Sequence, residues 1–476
     1  MATIAREILE QFAWICQTPH PPGKEAALRG RIIDRLRGLG LNPWTDVRGN
    51  LVCDLPASPG CIQGPLTAVQ AHLDMVCAAG SAAYVPERDP IKPIERDGFL
   101  CTAGESSLGA DCGAGAAVIL WLAEHPDLPH PPLRLLFTVE EEIGLRGAQE
   151  MDPTCVAGVR YLINTDGFRW GRIVTGSAGG VREHYTHTLD WAAPLSGARA
   201  WKVQVSGLRG GHSGFDIGAG RANALRLLGE VLRRVRAQVP LALYKFSGGT
   251  AFNAIPYEAA AGVVACDAQV RTLLEQAGAQ ALGTCRGTDP DGVLTVTEMP
   301  LPQAVWTAEQ TDGLLGALGD FADGVFARHS SGAVADSSNL GHIYAQDGKL
   351  YLDAMVRCMD AAAERTLLDS HRAVCEAHGF SGQIVSRYPA WPSREDGRLG
   401  RLAAQSFRQV TGRAPEITVQ HVGLEPSELL RKNPDMECIC VGMDLRDCHS
   451  PKERWRLDTI GPFADMLCGI LAGLGR

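Results

Sequence analysis

Apolar side chains at Ile4, Ile8, Leu9, Phe12 and Ile15 recur at helical spacing, and Ala26 to Leu39 reads as a second helix closed by Gly38 and Gly40. Short apolar runs at Leu51-Val52-Cys53 and Thr67-Ala68-Val69-Gln70 predict strands. Gly113 to Ala123 predicts a helix with a small-residue entrance, and Leu133 to Val139 a buried strand ending in an acidic loop. Such alternation predicts an α/β layer fold with its chemistry at the strand ends. From about Val181 to about Pro389 the pattern changes to strand-like Trp201 to Val205, a long amphipathic stretch Arg221 to Val239 and a strand near Ala261 to Cys266. The remainder carries another helix, strand-like Cys438 to Val441 and a closing helix. The expected layout is therefore 1–180 and 390–476 as two parts of one domain, with 181–389 inserted between them.

The 476 residues are enough for two domains with sizeable cores, and 45% apolar with 21% charged residues is the balance of an ordinary soluble protein. A net charge of -9 and the lack of a basic stripe disfavour nucleic acid or an anionic membrane as partner. Fifteen cysteines are an odd number, scattered and without a C-x-x-C pair, which points to a reducing cytoplasm rather than a disulfide scaffold. Met1 to Pro22 lacks the layout of an export signal, and no stretch is expected to approach the length of an apolar membrane span.

Against this background, ligand-type residues gather where strands end. His72 and Asp74 lie two apart, so both face one way in a strand, and a carboxylate there suits the second nitrogen of a metal-binding imidazole. Alone, the pair is better read as an ordinary strand with one buried histidine. Asp111 sits in the glycine-rich turn Leu108-Gly109-Ala110-Asp111-Cys112-Gly113, where an irregular backbone lets both oxygens point inward to bridge two cations; a helix cap is the plainer alternative. Glu140-Glu141-Glu142 ends an apolar strand, and three adjacent carboxylates repel one another unless cations or solvent absorb the charge. Neighbours point in different directions, so one can hold a metal while the next acts as general base. Asp166 closes Leu162-Ile163-Asn164-Thr165, and His449 comes from Asp447-Cys448-His449-Ser450-Pro451-Lys452-Glu453. Each has a structural reading; five together point to a metal hydrolase.

These motifs, in this order, resemble those of the cocatalytic zinc peptidases, in the subgroup of aminoacylhistidine-type dipeptidases. The likeness spans nearly the whole chain and is strongest at His72 to Cys77, Leu108 to Asp111, Gly207 to Gly214, Gly220 to Ala224, Asn253 to Pro256, His421 to Glu425 and His449 to Pro451. It implies a catalytic α/β/α domain with an inserted α+β lid and dimerisation domain, and a homodimer. It further implies two zinc ions per subunit, with manganese or cobalt as substitutes. One ion would be held by His72 and Asp166 and the other by Glu142 and His449, with Asp111 bridging, Asp74 clamping His72 and Glu141 as general base. By the same resemblance His212 would stabilise an oxyanion across the dimer, Asn253 and Arg357 would hold the substrate carbonyl and carboxylate, and the Asp111–Cys112 peptide would be cis. Glu425 is a candidate partner for a substrate amino group.

Some positions depart from the family pattern. Phe252 and Tyr257 stand where basic residues are common, Cys112 follows Asp111 where Asn is usual, and Pro426-Ser427 replaces Cys-Gly. These put substrate preference in doubt rather than chemistry. The expected activity is hydrolysis of dipeptides, including Xaa-His or β-alanyl-His. An amidohydrolase of N-acyl amino acids is the alternative, and a catalytically silent binding protein a further one. Gly211-His212-Ser213-Gly214-Phe215 is not a serine nucleophile elbow, and no H-E-x-x-H helix occurs.

Overall fold

All six residues of strand Thr67–His72 are buried, which a strand achieves only inside a sheet covered on both faces. In the computed structural model, which describes residues 2–394 and 396–476, this strand lies near the middle of an eight-stranded mixed sheet. The strand order is Trp44–Thr45, Leu51–Leu55, Leu133–Thr138, Thr67–His72, Tyr161–Gly167, Glu437–Gly442, Arg172–Ser177, Glu416–Gln420. Thr67–His72 runs parallel to both Leu133–Thr138 and Tyr161–Gly167. Their carboxyl ends therefore emerge on one edge, and His72 pairs in register with Thr138 there.

Alternation divides each strand between two cores. Val69 and Ala71 join Leu135 and Phe137 under helices Ala2–Cys16, Ala26–Gly38, Ala110–Glu124 and Ile460–Leu474. Ala68 and Leu136 face the opposite core with Leu429 of helix Glu425–Lys432. The result is the α/β layer fold that the pattern of strands and helices predicted, in the α/β/α form that the resemblance implied. The C-terminal helix corrects one expectation: Leu457–Leu474 is 18 residues long with a mean hydropathy of 1.4, enough by length and composition to cross a membrane. Its Phe463, Leu467, Ile470 and Leu471 are instead packed in the core beneath the sheet.

The chain divides into two compact units, Met1–Ser177 with Trp391–Val419 and Leu424–Arg476, and Ala178–Ala390 with Gln420–Gly423. The second is built on one antiparallel sheet of nine strands. Helix Ala224–Arg236 packs on it with Leu225, Leu228, Val231, Leu232 and Val235 buried. Asn223 begins that helix, its side chain accepting from the amides of Leu225 and Arg226 at 3.0 and 3.4 Å. The amphipathic stretch expected from Arg221 to Val239 thus forms its helix within those bounds. All fifteen cysteines are free thiols.

Candidate metal centre

Three strand ends, one turn and one C-terminal loop bring the ligand-type residues of the first unit together. Helix Ala110–Glu124 starts from a turn with Gly109 at φ 71°, and Asp111 keeps a non-helical φ/ψ of -83°/110°. A side chain at Gly109 would strain that left-handed backbone and strike Met75 Sδ at 2.5 Å. The Asp111–Cys112 peptide is cis.

Asp111 stands between the two histidines. Its Oδ1 lies 3.1 Å from His72 Nε2 and its Oδ2 2.9 Å from His449 Nε2. Asp166 Oδ1 is 3.7 Å from His72 Nε2, and Glu142 Oε1 is 3.1 Å from His449 Nε2. Glu141 belongs to the same cluster: ligand atoms of His72, Glu141 and Glu142 lie within 4.8 Å of one another, as do those of Asp111, Glu142 and His449. His72, Cys112 and Asp166 form a third such group.

Asp74 acts differently from the expectation. The strand ends at His72, and His72 Nδ1 meets the backbone carbonyl of Asp74 at 2.8 Å while the Asp74 carboxylate is 3.7 Å away. That carboxylate instead accepts from the amides of Glu141 and Glu142, each at 3.0 Å. Asp74 therefore fixes the imidazole through its main chain and the acidic loop through its side chain. Glu140, with φ 52°, turns away from the cluster and pairs with Arg48 at 2.5 Å. The three adjacent glutamates are thus separated rather than solvated together.

The electrostatics are those of excess buried negative charge. A hydrogen bond to Asp111 and the nearby carboxylate of Glu142 push His449 up to about 11. Burial would depress His72, but its contacts with Asp111 and Asp166 outweigh that and hold it well above the usual imidazole range. Asp166 is pushed up to about 8 by burial and by the charge of Asp111, and Glu141 is raised well above the carboxylate range, mainly by burial. Asp111 alone is held low, because both imidazoles outweigh its burial. In short, the cluster draws positive charge. Buried Glu142 Oε1 and Asp166 Oδ1 have no hydrogen-bond partner among the described residues. Oxygens left this way beside imidazole nitrogens form a donor set that fits divalent first-row cations.

Two residues to which sequence reasoning gave no role also shape the centre. Glu453 accepts from the amides of Leu108 and Gly109 at 2.9 Å and of Asp111 at 3.2 Å, holding the turn from the far end of the chain. Gln70 ties Asn164 to Glu425, donating to Glu425 Oε2 at 2.5 Å, where Thr138 also donates at 2.9 Å. Glu425 is fully enclosed, its Oε1 is unpartnered, and burial pushes it up to about 7.

In the second unit, the expected substrate-binding residues converge on Ser213. Its amide donates to the Asn253 carbonyl at 2.8 Å, and its hydroxyl accepts from Arg357 Nε at 3.3 Å. His212 pairs with Ala254, and its Nδ1 accepts from the Gly214 amide at 3.1 Å. An accepting Nδ1 leaves the proton on Nε2. Burial and the charge of Arg357 lower His212 to about 4, so the ring is a neutral donor. Phe252 lies under Arg182, whose guanidinium carbon is 4.4 Å from the ring centroid, so a cation is present beside that position although the residue itself is apolar. A Ser338–His371–Glu183 array also occurs, with distances of 3.3 and 2.6 Å. His371 and Ser338 are fully buried and His371 Nε2 also meets the Ala322 carbonyl at 2.9 Å, so this array is a structural network rather than a nucleophile site.

The chain is similar to cytosol non-specific dipeptidase of Escherichia coli (strain K12), with 28% identity over 466 residues that cover 97% of this chain and 96% of the relative. It is likewise similar to the crystal structure of aminoacylhistidine dipeptidase from Vibrio alginolyticus, at 28% identity and a TM-score of 0.90 over 98% and 96% of the two chains. A tripeptidase from Staphylococcus aureus, at 16% identity and a TM-score of 0.57 over 99% of each chain, shares the fold. Residues 68–473 match the model of peptidase family M20/M25/M40, and the chain belongs to that metallopeptidase family.

Proposed function

We propose that this peptidase is a broad-specificity dipeptidase working with two divalent cations, zinc in the first instance and manganese or cobalt as substitutes. The observation that carries the reading is the convergence of His72, Asp111, Glu142, Asp166 and His449, with unpartnered buried oxygens on Glu142 and Asp166. His72 and Asp166 would hold one cation, Glu142 and His449 the other, and Asp111 both. Such a pair supplies Lewis-acid polarisation of the scissile carbonyl and acidifies water. Glu141 takes a proton from the attacking water and passes it to the leaving amine as the C–N bond breaks. Asp74 holds the amide of Glu141 and so fixes the base.

Reaching across the homodimer, His212 hydrogen-bonds through its Nε2–H to the developing oxyanion, Asn253 orients the carbonyl, and Arg357 takes the terminal carboxylate through its planar fork. Glu425, with its free Oε1, is the partner for the substrate ammonium. Likeness to a cytosol non-specific dipeptidase supports free dipeptides as substrates and a cytosolic setting, and likeness to an aminoacylhistidine dipeptidase supports Xaa-His among them, with β-alanyl-His part of the same reading. The homodimer is part of this reading, and a monomeric mass on sedimentation of the active protein would remove it.

The test is hydrolysis by metal-stripped protein, before and after zinc or manganese, of carnosine, Ala-His, Gly-Gly, Leu-Gly, an amino-blocked dipeptide and a tripeptide. Metal-dependent cleavage of the free dipeptides is expected. Cleavage of the blocked compound alone would make the protein an N-acyl amino acid amidohydrolase, and silence throughout would make it a binding protein.

A further inference from the structure

Strand register puts three residues in one row across the sheet of the second unit. Arg357 on Lys349–Cys358 pairs with Gly180 on Gly179–Thr188, and Gly180 pairs in turn with Tyr388 on Ser381–Tyr388. Side chains on next-but-one strands start about 10 Å apart, so they meet only when the position between them is empty. Gly180 provides the gap: a methyl group there would lie 2.3 Å from Tyr388 Cζ and 2.4 Å from its hydroxyl oxygen. Gly423 bounds the ring elsewhere, with a methyl group there only 2.7 Å from Cε2. The phenol therefore lies in a slot lined by two glycines, where Arg357 Nη1 donates to its oxygen at 2.5 Å.

That contact leaves the Tyr388 hydroxyl proton and Arg357 Nη2 without an acceptor among the described residues. The Tyr388 oxygen accepts from a cation, so its own proton points elsewhere, and no acceptor for it lies among the described residues. Arg357 is 4% exposed, its Nε and Nη1 go to the uncharged Ser213 and Tyr388 hydroxyls, and no carboxylate pairs with it among the described residues. A buried guanidinium without a counter-charge is costly unless an anion completes it. A phenol polarised by that guanidinium is in turn a stronger donor. A carboxylate has two oxygens, one for each.

We propose that Tyr388 is a substrate-binding residue that donates its hydroxyl proton to the terminal carboxylate beside Arg357, and so sets the preference for peptides with a free carboxyl end. The inference rests on the dipeptidase reading. Neither strand pattern nor motif marks Tyr388, because its role exists only through the register that aligns it with Gly180 and Arg357.

The experiment compares the protein with its Tyr388→Phe variant on Leu-Gly and on Leu-Gly amide, whose end carries no charge. A hydrogen bond to a charged group predicts that the ratio of kcat/KM for acid over amide falls about tenfold in the variant, with KM carrying the loss. Equal losses on both substrates would make the tyrosine merely structural and overturn the proposal. Should the unmodified protein cleave neither, the dipeptidase reading fails, and calorimetric binding of leucine and leucinamide decides the contact without turnover. A roughly tenfold weaker affinity for leucine alone in the variant supports it, and unchanged leucine affinity overturns it.

Discussion

Glu453 offers the sharpest test of how the turn bearing Asp111 is held. Its carboxylate is 2% exposed and accepts three main-chain amides, those of Leu108, Gly109 and Asp111. In Glu453→Gln, an amide oxygen in place of Oε2 keeps the two bonds at 2.9 Å, and the NH2 group then faces the Asp111 N–H. That buried donor loses its acceptor, at about 1–3 kcal/mol. An opposing effect is of similar size. Burial raises Glu453 from the usual 4.5 to about 7, so removing its charge relieves about 3 kcal/mol. Global stability should therefore change little, while the one unpaired donor sits on Asp111 itself. The expected outcome is a thermal midpoint of the metal-stripped protein within a few degrees of the original, together with zinc affinity weakened about 10–100-fold in chelator competition. Unaltered affinity would refute the reasoning, since the turn would then keep its geometry without the carboxylate. A large drop in midpoint would show that the two effects do not cancel.

Two other perturbations address the base and the second unit. Glu141→Gln should lower turnover by about 10²–10⁴-fold or more without altering bound metal measured by elemental analysis, and retained activity would sink the base assignment. His421 is lowered to about 3, first by burial and then by Arg357, so it stays neutral in the fold while an unfolded histidine charges near 6.5. Its contribution is complete above pH 6.5 and declines by about 1.4 kcal/mol per pH unit as pH falls toward 3. The gap in urea stability between the protein and His421→Gln should thus narrow by about 2 kcal/mol from pH 7.5 to 5.0, and parallel pH profiles would count against a neutral buried ring.

Much of the first unit could be read in the chain because buried parallel strands are long apolar runs and loops follow where they stop. Thr67–His72 and Leu133–Thr138 announce themselves this way, and His72 and the glutamates after Thr138 fall at their ends. The contacts that aim those residues left no such trace. Asp74 was expected to reach His72 by its carboxylate, but the strand ends at His72, two residues short of Asp74, and the side chain meets two amides of another loop. Glu453 stood in a quoted motif without a role, since an acceptor of main-chain amides has no sequence partner to match. Tyr388 depends on a register between strands far apart in sequence, which periodicity does not give.

The carboxylates around the centre divide by what satisfies them. Asp74 and Glu453 are met by amides, two for one and three for the other, and a carboxylate so engaged has little left to offer a cation. Asp111, Glu142 and Asp166 face imidazole nitrogens, and one oxygen each of Glu142 and Asp166 has no hydrogen-bond partner among the described residues. The first group therefore fixes main chain and the second is left to attract positive charge. This division, rather than acidity as such, separates the residues that hold the centre's shape from those suited to hold its cations. It also explains why three consecutive glutamates can serve three ends: Glu140 pairs with Arg48, while the Asp74 side chain anchors the amides of Glu141 and Glu142 so that their own carboxylates remain in the cluster.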